Sequence, residues 1–206
     1  MEIIDISWPI TEDITLYKDR GEVKITRPYT LEKNNVNVSA ISFETHTGTH
    51  VDAPNHFMEG KTIDQLSLNQ LCGPCTVLDF SSVEDLITVS DLQKHEIKNG
   101  QIVLLKTKNS TFSPTAKFNF DFTALTLEGA QYLAQKNIPA IGIDYLSVEK
   151  DQPDHPAHHV FMQKNVPIIE GLRLQHVQPG EYTLYCLPLH LPGLEAAPAR
   201  AILIKN

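Results

Sequence analysis

His46-Thr47-Gly48-Thr49-His50-Val51-Asp52-Ala53-Pro54-Asn55-His56 holds three of the chain's nine histidines and one aspartate. These side chains are nitrogen and oxygen donors of the kind that bind zinc, manganese or iron. His46 and His50 stand four apart, a helical spacing, but Gly48 and Pro54 both break a helix interior. Residues 36–45, just before, are rich in β-branched and apolar side chains and read as a strand. The motif is therefore expected on a tight loop leaving the end of a strand, with Gly48 letting the backbone fold closely around an ion. A lone histidine is ordinarily a surface or core residue. Three of them with an aspartate, on one turn, point instead to a metal site. A second cluster, Asp154-His155-Pro156-Ala157-His158-His159, lies well downstream, and Glu170 follows it.

The bulk numbers narrow the setting. The chain has 206 residues, enough for one sizeable core, and is expected to form a single domain. Its 41% hydrophobic and 20% charged content is that of an ordinary globular protein. Seventeen basic against 25 acidic residues give a net charge of −8, which disfavours nucleic acid as a partner. No stretch approaches 18 apolar residues, so no membrane span is expected. The opening Met1-Glu2-Ile3-Ile4-Asp5 lacks the basic and apolar regions of a signal peptide. Three cysteines, an odd number, suit reduced thiols in a cytoplasm better than a disulfide framework.

Strands are expected at residues 1–7, 75–80, 101–106, 140–144, 166–170, 181–187 and 200–204 from their apolar or alternating patterns. Residues 11–35 read as a long excursion containing Tyr17, with a short strand near 21–25 and a break at Pro28. Residues 62–66 start a short helix or turn. Ser90 is expected to cap a short helix, and Thr126 one that runs through Asn137 with Leu127, Ala130, Leu133 and Ala134 on its apolar face. Helices alternate with strands in the middle and strands dominate both ends. The expected fold class is α/β, with a mixed central sheet flanked by helices.

Cys72-Gly73-Pro74-Cys75 spells a dithiol motif. Redox chemistry at such a motif needs a helix N-terminus to stabilise the thiolate, and here a strand follows. The residues are read as a turn with two buried or half-buried thiols.

The stretch at 46–56 resembles the metal motif of the cyclase family of metal-dependent hydrolases, which includes bacterial kynurenine formamidases and isatin hydrolases. The family pattern is His-x-Gly-Thr-His-x-Asp-x-Pro-x-His, and every fixed position is matched. Ile4-Asp5-Ile6-Ser7, Gly73-Pro74-Cys75, Gly142-Ile143-Asp144-Tyr145-Leu146-Ser147, Ile169-Glu170-Gly171-Leu172, Leu187-Pro188-Leu189 and Pro198-Ala199-Arg200-Ala201 extend the likeness along nearly the whole chain. The resemblance implies a swivelling β/β/α arrangement and a homodimer or higher homo-oligomer. It implies a first divalent ion on His46, His50 and Asp52. Asp52 would bridge to a second held by His158 and Glu170, and His56 would be the acid/base residue. Zinc or manganese, one ion or two, are all compatible with it. The implied reaction is attack of metal-activated water on a small amide, with His56 protonating the departing amine.

The early excursion departs from the formamidase pattern: Leu16-Tyr17-Lys18-Asp19 stands where a Trp-Pro-Gly is expected, and Tyr17 is proposed to stack on the substrate ring instead. Residues 148–153 also differ. An aryl formamide such as N-formylkynurenine is the leading substrate class. The alternatives are another small cyclic amide of the isatin type, or a binding protein without turnover, for which His56 would have no use. His95 and His176 are read as solvated, His155 as outside the pocket, and His159 and His190 are left without a role.

Overall fold

The computed structural model describes residues 1–150 and 152–205; Asp151, in the divergent stretch at 148–153, lies outside the described residues. Among the described residues twelve strands form, β1 Glu2–Asp5, β2 Lys24–Tyr29, β3 Val38–Ser42, β4 His50–Asp52, β5 Cys72–Asp79, β6 Leu86–Ile87, β7 Ile102–Lys106, β8 Ala124–Leu125, β9 Ile141–Ile143, β10 Ile168–Glu170, β11 Gly180–Pro188 and β12 Ala196–Lys205. The main sheet runs β1-β12-β11-β5-β7-β9-β10-β4, and a further pairing of β4 with β12 closes it into a barrel. The length of β12 makes closure possible. Its first half pairs with β4 and its second half with β1, while β11 runs along its other edge. The central β5-β7-β9-β10 pairings are parallel and the rest antiparallel, so the sheet is mixed.

Alternation along the strands sorts the core into two layers. Val51, Val77, Leu104, Ile169, Leu184 and Leu203, drawn from strands all round the ring, fill the barrel interior. Val103, Leu105, Ile141 and Ile168 point outward instead. There they meet Ala130 and Leu133 of the helix Leu127–Ala134, and Phe161 and Met162 of the helix Pro156–Gln163. The parallel strands are thus buried on both faces, which is why they read as unbroken apolar runs.

Several local expectations are corrected. His50, Val51 and Asp52 are a strand in the main sheet, not a loop, because the segment finds ladder partners on both edges. The strand expected at 36–45 does form as β3, but it pairs only with β2 in a separate hairpin and every residue of it is exposed. Pro28 does not break that hairpin: it lies within β2, where the register shifts. Cys72-Gly73-Pro74-Cys75 is strand rather than turn. Pro74 precedes the β7 pairing, which starts at Cys75, so its missing N–H disrupts no ladder on that edge. Thr88, not Ser90, caps the helix Val89–Leu92, in a reciprocal box with Asp91. Thr126 caps the helix Leu127–Ala134 through Gly129 N, but that helix stops short of Asn137, which adopts a left-handed φ of 51°.

Candidate metal centre

The site sits on the outer face of the barrel where β4 and β10 lie side by side. Val51 and Ile169 point inward, so the alternation sends His50, Asp52 and Glu170 outward. Two close backbone approaches fix the entrance to β4. Gly48 turns with φ +64° and Gly171 with φ +68°, and a Cβ on Gly171 would lie 2.2 Å from Gly48 O. Thr49 Oγ1 donates to Gly171 O at 2.6 Å and accepts from Trp8 N at 2.7 Å. The loop is thereby tied to the end of β10 and to the chain's start.

Above the sheet lies the helix Pro156–Gln163. Pro156 opens it at the first position, where no N–H is needed. Ala157, Phe161 and Met162 pack it on the outer core layer, which turns His158 down toward Glu170. His158 and Glu170 are each 3% exposed, and His50 and Asp52 each 1%. Residues more than a hundred positions apart therefore share one buried cluster.

The hydrogen-bond pattern fixes which ring nitrogens of this cluster are free to act as ligands. Gly48 O can only accept, so Nδ1 of His50, 2.9 Å away, donates to it. A neutral His50 then carries a lone pair on Nε2. That atom faces Asp52 Oδ1 at 3.5 Å and Glu170 Oε2 at 3.6 Å. His158 repeats the arrangement, with Nδ1 on Glu149 at 2.8 Å and Nε2 3.3 Å from Glu170 Oε1. His50 Nε2 and both carboxylate oxygens of Asp52 are buried without a hydrogen-bond partner. His46 Nδ1 approaches Asp52 Oδ1 to 2.9 Å, but without the alignment of a hydrogen bond. Buried lone pairs aimed at one another are costly unless a cation joins them. The donor set of imidazoles and carboxylates fits a divalent ion. Ligand atoms of His50, Asp52 and Glu170 lie within 4.8 Å of one another, as do those of His46, Asp52 and His56.

Without such an ion, protons fill the role. Burial alone would lower the pKa of His50, but Asp52 and Glu170 raise it to about 8. Burial likewise opposes protonation of His158, and Glu149 and Glu170 overcome it, raising the pKa to about 10. Burial would push Asp52 up, yet the surrounding imidazoles hold it well below the carboxylate range. Glu170, also against burial, is drawn down to about 2, chiefly by His158 and His50. His56 behaves oppositely. Burial is the largest cause, and with the neighbouring His46 and His158 rings it outweighs the pull of Asp52 and lowers the pKa to about 4.

Beside this cluster is a cavity of about 340 Å3. Its polar wall includes His46, His50, His56, His158 and Glu170, and its apolar wall includes Tyr17, Phe57 and Leu146. His56, on the short 3-10 helix Pro54–His56, stacks 4.1 Å from the His46 ring and 4.0 Å from Phe57. Tyr17 lies on the 3-10 helix Tyr17–Asp19, braced edge-on by Phe118 at 5.2 Å. Every residue singled out from the sequence as a ligand, as the acid/base group or as a substrate contact thus meets at one cavity or its buried floor.

Other residues depart from the sequence reading. His155, expected outside the pocket, lines it and stacks on Phe57 at 4.7 Å. His95, expected in solvent, is half-buried edge-on against Phe80. His159 is half-buried with its ring 5.9 Å from Phe57, and His190 is exposed. The Cys75 thiol, pushed up to about 12 by burial, has none of the character of a redox nucleophile. Two acidic residues were missed. Glu149 is 3% exposed and accepts hydrogen bonds from His155, His158 and Ala157 N. Glu195 lies 3.4 Å from His46 Nε2 and accepts from Thr45 Oγ1. Neither belongs to a donor cluster in the sequence; a carboxylate three residues after Leu146, just past the strand at 140–144, was the only signal for Glu149.

Comparison with known proteins adds to this geometry. The Cyclase family model matches residues 4–150. The kynurenine formamidase of Bacillus cytotoxicus is 35% identical over 205 residues, covering 98% of this chain and 97% of that protein. The solved structure of a predicted metal-dependent hydrolase from Bacillus stearothermophilus superposes with a TM-score of 0.88 at 40% identity, covering 98% of this chain and 97% of that one. Isatin hydrolase A from Labrenzia aggregata, bound to benzyl benzoate, superposes with a TM-score of 0.86 over 100% and 94% of the two chains. At 19% identity that last likeness shows the fold alone.

Proposed function

The chain belongs to the cyclase family, and we propose that it is a metal-dependent amidohydrolase cleaving a small amide, foremost an aryl formamide of the N-formylkynurenine type. The observation that carries this reading is the set of buried ligand atoms on His50 and Asp52, which face Glu170 and one another while His50 Nε2 and both Asp52 oxygens have no hydrogen-bond partner. His46, His50 and Asp52 would hold a first ion, and Asp52, His158 and Glu170 a second. Imidazole and carboxylate donors suit zinc or manganese. A divalent ion at such a site lowers the pKa of water from 15.7 toward about 7 and polarises a carbonyl.

The chain's own residues would do the rest. His56 stands beside His46 at the mouth of the metal-binding floor. As a neutral imidazole it takes a proton from the attacking water and delivers it to the departing nitrogen. Tyr17, Phe57 and Leu146 offer an apolar lining to an aryl ring, in a cavity of a size suited to a small ligand.

The setting follows the same reading. Among the described residues no helix is long and apolar enough to cross a membrane. Three free cysteines agree with a reducing cytoplasm. Tyr29, Val38 and Ile41 are exposed on the β2–β3 hairpin and support assembly of two or more copies.

Metal analysis of protein prepared without chelator, followed by assays on N-formylkynurenine, other aryl formamides and isatin, tests the reading. At least one ion per chain is expected, with formamide hydrolysis that chelation abolishes and zinc or manganese restores. Sub-stoichiometric metal that neither ion restores, or no turnover of any amide by loaded protein, would contradict it.

A further inference from the structure

The geometry points to Glu149 as a positioning residue that orients two imidazoles at once, His158 toward the buried metal-binding floor and His155 toward the substrate cavity. This rests on the metal-site reading given above. Glu149 is buried, and three hydrogen bonds reach its carboxylate. His155 Nδ1 and His158 Nδ1 each lie 2.8 Å from Oε1, and Ala157 N donates to Oε2 at 2.7 Å. The last bond ties the carboxylate to the first turn of the helix Pro156–Gln163. An ionised carboxylate only accepts, so both Nδ1 atoms carry protons. The Nε2 of His158 is then left with a lone pair, 3.3 Å from Glu170 Oε1, which is the tautomer a metal ligand needs.

His155 is held by the same oxygen. It adopts φ 50° and ψ 51° at the helix cap, a left-handed conformation uncommon outside glycine. With Glu149 restraining Nδ1, its ring is pressed against Phe57 at an interplanar angle of 32°. One carboxylate therefore sets a ring on the metal-facing side and a ring on the cavity wall.

Glu149→Gln and Glu149→Ala test this in the full-length protein, with His155→Ala as partner variant. The readouts are zinc affinity by chelator competition, KM for an aryl formamide, and the exchangeable imidazole N–H signals of the cobalt(II)-loaded protein, with circular dichroism as the folding control. Wild type should show a slowly exchanging Nδ1–H signal from His158. In both Glu149 variants that signal should broaden or vanish, and the ion held by His158 and Glu170 should bind about 10- to 100-fold more weakly. The ion on His46, His50 and Asp52 should be unaffected. His155→Ala should keep both affinities and raise KM. Unchanged signals and affinities in folded Glu149 variants would overturn the inference, as would equal weakening of both ions. Failure of the wild-type protein to take up any zinc or cobalt would instead overturn the metal-site reading on which it rests.

Discussion

Glu170 stands directly across from His50 in the antiparallel ladder between β10 and β4, and the two side chains meet on the outer face with Nε2 and Oε2 3.6 Å apart. Register, not sequence proximity, makes them neighbours. Val51 and Ile169 are likewise paired and both point into the barrel, so a slip of one residue in either strand would bury the wrong set. Glu170 also accepts from Val148 N at 2.7 Å, which holds its carboxylate between His50 and His158.

Glu170→Gln keeps the shape and removes the charge. Metal content under saturating zinc is expected to fall from two ions per chain to one, and kcat/KM by about 100-fold or more, since loss of a ligand exceeds the 10- to 100-fold typical of a residue behind one. Elemental analysis of the dialysed variant beside wild type decides it. Wild-type protein that never exceeds one ion would leave the single-ion arrangement on His46, His50 and Asp52.

His56 and His50 are predicted to separate chemistry from binding. His56→Ala should retain metal while kcat falls about 10²- to 10⁴-fold, the range for loss of a general acid/base. His50→Ala should lose metal and activity together, because its Nε2 has no other partner. His56 also has a ring nitrogen within ligand-like reach of His46 and Asp52. Loss of metal from His56→Ala would therefore reassign it as a ligand.

Stability should depend on pH in a way that metal cancels. In metal-free protein His50 and His158 are raised from 6.5 to about 8 and about 10, because carboxylates overcome the burial that opposes protonation. A raised folded-state pKa contributes stability that is fully present below pH 6.5 and lost as pH climbs through the folded values. Glu170, drawn down from 4.5 to about 2, contributes stability above its unfolded value and loses it in acid. The Tm of chelator-treated protein should therefore decline from pH 6.5 toward 10. An ion replaces those protons, so the zinc-loaded protein should decline less, and its Tm advantage should widen with pH. Thermal scans of both forms across that range check this; a constant gap would contradict it.

How much of this was legible beforehand depended on which interactions stayed local. The stretch 46–56 and the strands around it could be read because donor types and apolar runs are properties of neighbouring residues. Closure of the barrel could not, since it depends on β12 dividing one edge between β4 and β1. Treating His50 and Asp52 as loop residues was the natural error: a three-residue strand has too short an alternation to notice, and its partners lie over a hundred residues away. Glu149 escaped for the same reason. Its significance comes from a helix that brings His155 and His158 back over it.

Tyr17 should act on affinity alone. It lines the cavity, belongs to none of the ligand-type clusters and is braced by Phe118. Tyr17→Ala removes an aromatic face worth about 0.5–1.5 kcal/mol, so KM for an aryl formamide should rise roughly two- to tenfold with metal content unchanged. A smaller loss with an aliphatic formamide would identify stacking as the cause. Equal losses for both would assign Tyr17 to general packing.

Gly171 offers the sharpest structural test, because it follows Glu170 and touches the motif loop at once. Both Gly171 and Gly193 adopt left-handed backbone, with φ +68° and +80°. Alanine at either position therefore carries a conformational cost of about 1–2 kcal/mol. Nothing lies within 4 Å of a Cβ on Gly193, so Gly193→Ala should show that cost alone and keep its metal. At Gly171 the added carbon would stand 2.2 Å from Gly48 O and 3.1 Å from Thr49 N, both backbone atoms of the loop that leads into β4. Relief requires the loop to move away from β10. That breaks the 2.6 Å bond from Thr49 Oγ1 to Gly171 O and shifts His50 relative to Glu170. Gly171→Ala should accordingly lower Tm by clearly more than Gly193→Ala and weaken zinc binding, which Gly193→Ala should not do. If the two variants lose the same stability and both keep full metal affinity, the loop can adjust without disturbing the site, and the contact between Gly171 and Gly48 does not hold the centre in place.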